Sequence, residues 1–249
     1  MNVSTILQQF EFPKDCLIDR VVPKKTIYEH AAPKQKKMIQ SQLNRLRWMY
    51  ALKTENTNIS SFRDESGYFP EVEYFIVEID HQQSLKELAT NLMQLIPYPM
   101  VLFFTWAERF CLVAAQYRTN QSDSSKIVVQ RLIQSKDYYP EESSMDLNSF
   151  IQKQSFASKS LVNFKTYYES VISTILKEKL EHTYSIQLPL SMDLVELDEQ
   201  LEKLETNINE RQSRMKKADQ FNRRVALQID IHNLEEQKID LLKRYKTQE

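Results

Sequence analysis

The stretch EVEYFIVEID, Glu71 to Asp80, sets a continuous centre of β-branched and aromatic residues between acidic ends. Such a run suits a strand buried on both faces, and it predicts a central position in a sheet. Just downstream, Gln83 to Leu95 carries Leu85, Leu88, Leu92 and Leu95 at helical spacing and is stopped by Pro97 and Pro99. Met100 to Trp106 and Phe110 to Tyr117 predict two further strands, joined so closely at Ala107 to Arg109 that a hairpin is the natural connection. Lys126 to Gln134 predicts another strand.

Upstream, Asn2 to Phe10 reads as a short helix, followed by an irregular stretch broken by Pro13, Pro23 and Pro33. A helix is expected from Lys34 to Arg47, striped by Met38, Leu43 and Leu46, with the first strand at Trp48 to Leu52. Thr54 to Pro70, rich in Asn, Ser, Asp and Pro, reads as a loop. Together these elements predict an α+β or α/β class, with a small mixed-sheet domain over residues 1–140.

After a polar break at Tyr138 to Ser144, the pattern is wholly helical. Ser160 to Leu180 places Leu161, Phe164, Tyr168, Val171, Ile172, Ile175 and Leu176 on one face, within a connector over residues 141–190 that Pro189 ends. Residues 191–249 then read as an antiparallel coiled-coil hairpin. Leu194, Leu197, Leu201, Leu204 and Ile208 alternate spacings of three and four, whereas Leu227, Ile231, Leu234, Leu241 and Tyr245 follow another register. A turn between Met215 and Asn222 reconciles the two stripes. Asp193 with Glu196 is expected to cap the first arm, and Asp219 or Asn222 the second. Because two helices alone bury a limited core, the nine Leu and Ile residues of these stripes are also the candidate partner-binding surface.

Composition excludes several function classes. Among 249 residues there is one glycine, Gly67, where average usage would give roughly seventeen. Phosphate-cradling loops, dinucleotide fingerprints and nucleophile elbows each need glycines at fixed spacing, so none exists here. Cys16 and Cys111 are too few for a disulfide framework and read as free thiols, Cys111 inert inside an apolar strand. His30, His81, His182 and His232 show no metal-ligand spacing. No metal and no cofactor is therefore expected. No apolar run reaches membrane-span length and Met1 to Phe10 lacks the features of a signal peptide, so a cytoplasmic location is expected.

The net charge of -1 hides a segregation: Lys14 to Lys53 holds ten basic residues against three acidic, and Thr54 to Glu108 nine acidic against two basic. Two basic clusters are candidate nucleic-acid contacts, since phosphate binding needs little more than grouped cations. One comprises Lys24, Lys25, Lys34, Lys36 and Lys37. The other, at the expected hairpin tip, comprises Arg211, Arg214, Lys216, Lys217, Arg223 and Arg224. Acidic residues on the first arm and basic ones after it also suit the helix dipole, so a solvated charged face stands beside that reading.

Glu73, Glu78 and Asp80 raise an alternative, a divergent metal-dependent nuclease. The acidic residue, spacer and lysine of such sites is missing: the residue two beyond Glu78 is Asp80, and the nearest lysine is Lys86. Solvated strand ends are the preferred reading.

Three segments resemble a bacterial and archaeal family known as domain of unknown function 4391. They are VPKKTIYEH (Val22 to His30), the run from RWMYALKTENTNI (Arg47 to Ile59) through EVEYFIVEID to LIPYPMVLFF (Leu95 to Phe104), and KKADQFNRRVALQIDIHNLE (Lys216 to Glu235). Arg118 stands where that family's pattern has lysine after tyrosine. The resemblance implies an accessory subunit, because members lie beside a superfamily 2 helicase and a DNA methyltransferase in operons that look like restriction or anti-phage defence systems. It transfers no catalytic residues. It makes a helicase or methyltransferase the expected protein partner, with DNA as a further candidate and no membrane; a homo-oligomeric scaffold without a nucleic-acid role remains a third reading.

Overall fold

The computed structural model describes residues 3–29, 31–64, 67–119, 127–140, 145–189 and 194–246. In chain order the elements are α1 (Val3–Gln8), β1 (Leu17–Val22), α2 (Lys24–Tyr28), α3 (Pro33–Gln42), β2 (Leu43–Leu52), α4 (Thr54–Thr57), β3 (Phe62–Arg63), β4 (Tyr68–Phe69) and β5 (Val72–Ile79). There follow α5 (Leu85–Leu95), β6 (Met100–Trp106), β7 (Arg109–Thr119), β8 (Ile127–Gln134), α6 (Met145–Gln154), α7 (Phe164–Tyr184), α8 (Leu194–Lys216) and α9 (Phe221–Tyr245). The fold is mixed α+β. The chain divides into two compact units, Met1–Glu178 and Lys179–Glu249.

The first unit is built on a six-stranded sheet ordered β1-β2-β5-β6-β7-β8. Neighbours run antiparallel except β5 and β6, which are parallel. A parallel pair needs a crossover, and α5 supplies it, burying Leu85, Leu88 and Leu92. The strand over Val72–Ile79 is interior, paired with β2 on one side and β6 on the other. On β6, Met100 through Phe104 are fully buried, so both faces of the centre are covered.

Paired residues of β5 and β6 share a face, which separates the two coverings. Tyr74 and Phe103 lie on the face met by α7 and the N-terminal segment: the Tyr74 and Tyr167 hydroxyls are 2.9 Å apart, and the Phe10 and Phe103 ring centroids 5.6 Å. Tyr168 on α7 reaches the same sheet, donating to the Met100 carbonyl at 2.9 Å and accepting from the Ala115 amide at 3.0 Å. Glu73, Phe75 and Leu102 belong to the opposite face, and α5 packs over β6 and β8.

Two expectations are corrected here. The stretch between Pro13 and Pro23 is not irregular, because it contains the edge strand β1, paired with β2 from Leu17↔Tyr50 to Val22↔Leu46. The helix at Lys34 does not run to Arg47; it ends at Gln42 and β2 begins at Leu43. Leu43 and Leu46 are both buried, as a helical stripe would be, but they pair with Ile79 and Val77 of β5. Register shifts between Leu43 and Arg45 and between Trp48 and Tyr50 mark bulges in β2. Within Thr54–Pro70, Thr54–Thr57 makes one helical turn capped by Asn58 at φ 59, and β3 with β4 makes a small hairpin.

Gly67 serves that hairpin, where its amide donates to Asp64 Oδ1 at 3.1 Å and its carbonyl accepts from the Asp64 amide at 3.0 Å. Positive φ is not the reason for glycine here; a Cβ would stand 3.2 Å from the Phe69 ring. Left-handed positions fall instead on Glu11, Asp19, Asn58, Ala107 and Ser185. Cys16 and Cys111 are free and buried. Burial pushes the Cys16 thiol up to about 11, with help from Asp15, and drives Cys111 well above its ordinary value. Among the described residues no helix is long and apolar enough to cross a membrane.

The second unit contains α8 and α9 packed together. Residues 217–220 connect them, and Gln220 occupies the N-cap of α9 without a side-chain cap, so neither Asp219 nor Asn222 fills that role. Asp193 lies outside the described residues. A polar cluster joins three helices within this unit. Glu205 accepts hydrogen bonds from Tyr184 at 2.8 Å and from Lys238 at 2.7 Å, and Lys179 pairs with the buried Asp198 at 2.9 Å.

Candidate functional site

The two basic clusters become two surfaces. Lys24 and Lys25 sit on α2, Lys34, Lys36 and Lys37 on α3, and these helices pack together, with the Lys36 ammonium 5.1 Å above the Tyr28 ring. Pro33 opens α3, and Gln35 turns its side chain back to the Ala32 amide at 3.0 Å, which fixes the direction of the three α3 lysines. All except the half-buried Lys24 are exposed.

At the hairpin tip, Arg211 is tied down: it lies 3.9 Å from Asp230 and donates to the Asn207 carbonyl at 3.2 Å. Arg214 faces Glu210 at 3.9 Å along its own helix. Lys216, Lys217, Arg223 and Arg224 are exposed, and among the described residues none of the four pairs with a carboxylate. Lys216 ends α8, Lys217 follows it in the connection, and Arg223 and Arg224 lie in the first turn of α9. Cations suit the C-terminal end of α8, but at the N-terminal end of α9 the dipole opposes Arg223 and Arg224. An uncompensated cationic tip of this kind is relieved by an anion.

The candidate carboxylates do not converge. Glu73 lies near the start of β5, Glu78 and Asp80 at its far end, and Glu73 and Glu78 point to opposite faces by strand parity. Glu78 faces Arg45 at 3.7 Å, and Asp80 accepts from Asn44 at 2.5 Å, both in exposed settings. Among the described residues no group of three His, Cys, Asp or Glu is placed to hold a metal ion.

Glu73 departs from the solvated strand end expected of it, for it is only 2% exposed. Trp48 of β2 donates its indole N–H to Glu73 Oε2, and Lys53 holds the neighbouring Glu71 at 3.2 Å. Burial and the Glu71 charge push the Glu73 carboxyl up to about 8, against the pull of Trp48 and Lys53, and the pair shares a hydrogen bond. Sequence parity puts Glu71 and Glu73 on one face, but only the pairing of β2 with β5 brings Trp48 over them.

A second buried charge carrier is Lys159, whose ammonium donates to the Lys153 carbonyl at 2.6 Å and to Thr174 Oγ1 at 2.5 Å. Burial lowers it to about 7. Nothing in the polar sequence around it signals this.

The predicted partner-binding stripes are turned inward. Leu194, Leu197, Leu201, Ile208, Ile231 and Leu241 are buried, and Leu204, Leu227 and Leu234 are half-buried. A groove of about 380 Å³ opens beside Leu204 and Leu241, rimmed by Lys203, Asp240 and Arg244. Surface left for a partner lies on the outer side of α9, where Phe221, Val225, Ile229 and Ile239 are exposed.

A sequence model of the family described as Domain of unknown function (DUF4391) matches residues 10–237. No curated protein and no solved structure matches the chain.

Proposed function

The chain belongs to the DUF4391 family of unknown function, and from that premise we propose that it is an adaptor subunit of a bacterial DNA-processing, anti-phage defence or restriction-like system. In this reading it binds a helicase or methyltransferase partner and lays its basic surfaces against DNA. The observation that carries it is the cationic hairpin tip, where Lys216, Lys217, Arg223 and Arg224 stand exposed with no carboxylate partner among the described residues. Neutralising phosphates releases condensed counterions, so such a tip gains affinity from any nucleic-acid backbone without reading its sequence.

Binding of a fluorescent duplex, measured by anisotropy over a salt series, tests the DNA contact. Each phosphate contact steepens the slope of log K against log salt by about 0.9 for duplex DNA. Replacing the four tip cations by glutamine is expected to flatten that slope by up to about 3–4. An unchanged slope overturns the assignment of the tip. Co-purification with the neighbouring helicase or methyltransferase tests the adaptor role, and a chain that stays alone at micromolar concentration with both present refutes it.

A further inference from the structure

The cationic tip of the hairpin also carries an aromatic ring left in water. Phe221 is the first residue of α9 and is 76% exposed. Among the described residues no other ring stacks on it and no cation stands over it. The Cα–Cβ bonds of a helix lean toward its N-terminus, so a ring at the first position is directed toward the connection 217–220 and not back along the arm. An aromatic side chain buries a large area when it finds a partner, and one held this far into solvent is a surface waiting for a flat apolar group.

The positive charge around that ring survives a full count. From Glu210 to Asp230 the chain holds six basic residues, Arg211, Arg214, Lys216, Lys217, Arg223 and Arg224, against three acidic, Glu210, Asp219 and Asp230. Glu210 is met by Arg214 and Asp230 by Arg211, so Asp219 is the carboxylate that remains against four cations. Arg223 and Arg224 follow Phe221 by a rise of about 3–4.5 Å, Arg224 about 60° from it round the helix and Arg223 on the far side, both within one helix diameter of about 10–12 Å. Lys217 precedes the ring by four residues, and Lys216 ends the other arm. The cations thus surround the end of the hairpin instead of lining one stripe. An apolar protein pocket closing over Phe221 would strip water from them without supplying counter-charge.

We propose that the tip binds an unpaired stretch of DNA, with Phe221 as the platform on which one base stacks and Lys216, Lys217, Arg223 and Arg224 as contacts to the phosphates on either side of it. Charge alone accepts any backbone; the ring selects. A duplex keeps its base faces stacked inside and offers this tip phosphates only. A flexible single strand can turn one base onto the ring while its phosphates reach the cations around it. Every base has a π face, so the selection is for unpaired structure and not for sequence. The inference rests on the DNA contact proposed above and deepens it by naming the form of DNA.

Anisotropy of the full chain with three fluorescein-labelled probes tests it: a short mixed-sequence single strand, the same strand with its bases replaced by abasic sites, and the corresponding duplex. The abasic strand keeps every phosphate and removes the bases. The wild type is expected to bind the base-bearing strand about 5- to 100-fold more tightly than the abasic one, the range that stacking one base on an aromatic side chain is worth. Phe221→Ala should close that gap, leave duplex affinity unchanged and leave the salt slope on each strand as it was, because phosphate contacts set the slope. Phe221→Trp should keep the gap open. Phe221 is exposed at a helix end, so helix content by circular dichroism should hold in both variants. Equal binding of the two single strands by the wild type overturns the inference, and a salt slope that still falls when the tip cations are replaced by glutamine then leaves the DNA contact standing. A Phe221→Ala variant that weakens both single strands equally overturns it too, since the ring then acts through the shape of the hairpin. Binding of none of the three probes refutes the DNA contact itself, and the inference with it.

Discussion

Replacing Glu73 by glutamine should abolish a pH dependence of stability that the wild type carries between about pH 5 and pH 8. The carboxyl titrates at 4.5 in an unperturbed setting and is pushed up to about 8 in the folded chain, first by burial and then by the charge of Glu71. Below 4.5 it is protonated in both states, and its contribution is fully present. As pH rises toward 8, the unfolded chain releases a proton that the folded chain keeps, so stability falls by at most about 1.4 kcal/mol per pH unit. Across the interval from 4.5 to about 8 this amounts to about 4–5 kcal/mol, and above it the loss is complete. Glutamine keeps the shape, and its amide oxygen still accepts from the Trp48 indole, but it has no charge to bury. The variant should match the wild type near pH 5 and exceed it by several kcal/mol at pH 8.5. Urea unfolding in half-unit pH steps gives the two curves, and their difference cancels every other titrating group. The indole N–H resonance of Trp48 supplies a direct reading, since it should titrate near pH 8 in the wild type and stay fixed in the variant. A difference that is constant from pH 5 to pH 8, or that grows toward acid, refutes the reasoning.

Two further changes probe the backbone and the hairpin. Ala107, in the turn between β6 and β7, sits at φ 48, where a Cβ is strained; Ala107→Gly should raise stability by about 0.5–1 kcal/mol, visible as a higher urea midpoint at unchanged m. Glu205 accepts from Tyr184 and Lys238, and although burial works to raise its carboxyl, those two bonds and the Lys238 and Lys179 charges hold it below the usual range. With its side chain 40% exposed, Glu205→Ala should cost about 1–2 kcal/mol, less than such charge-assisted bonds are worth when dry. Because the folded carboxyl is depressed, the contribution is present above the ordinary glutamate pKa and fades as pH falls through the folded one. Hydrogen exchange of α8 and α9 amides should therefore differ between wild type and variant at pH 7, and the difference should shrink only as the pH is taken below the ordinary glutamate value of 4.5.

What sequence made legible follows from where periodicity is dictated by burial. The strand over Val72–Ile79, the helix after it and the β6–β7 hairpin are covered on both faces or along one stripe, so their apolar patterns are unambiguous. Leu17–Val22 is an edge strand whose residues are half or fully exposed; with Pro13 and Pro23 at its flanks, nothing but pairing with β2 identifies it. Leu43 and Leu46 lie three apart, equally at home on a helix, and the choice is made by Ile79 and Val77 across the sheet. Local propensity loses there to a long-range partner.

The same division explains the candidate sites. A cationic tip follows from the turn between two helices, so the cluster at Lys216 to Arg224 could be read from the chain directly. The buried Glu73 could not, because its burial, its Trp48 hydrogen bond and its Glu71 and Lys53 neighbours are assembled only by the β2–β5 register. The outer stripe of α9 was present in the spacing of Phe221, Val225 and Ile229, but the stronger leucine stripe on the other side of the helix hid it. Once α8 has taken the leucines, an apolar face remains that a single hairpin has no means to bury. The lone glycine, Gly67, is placed for the Phe69 ring, and left-handed positions are given to other residues such as Asn58 and Ala107. In the adaptor reading proposed above, a partner meets helical surfaces, and recognition rests on their charge and apolar shape.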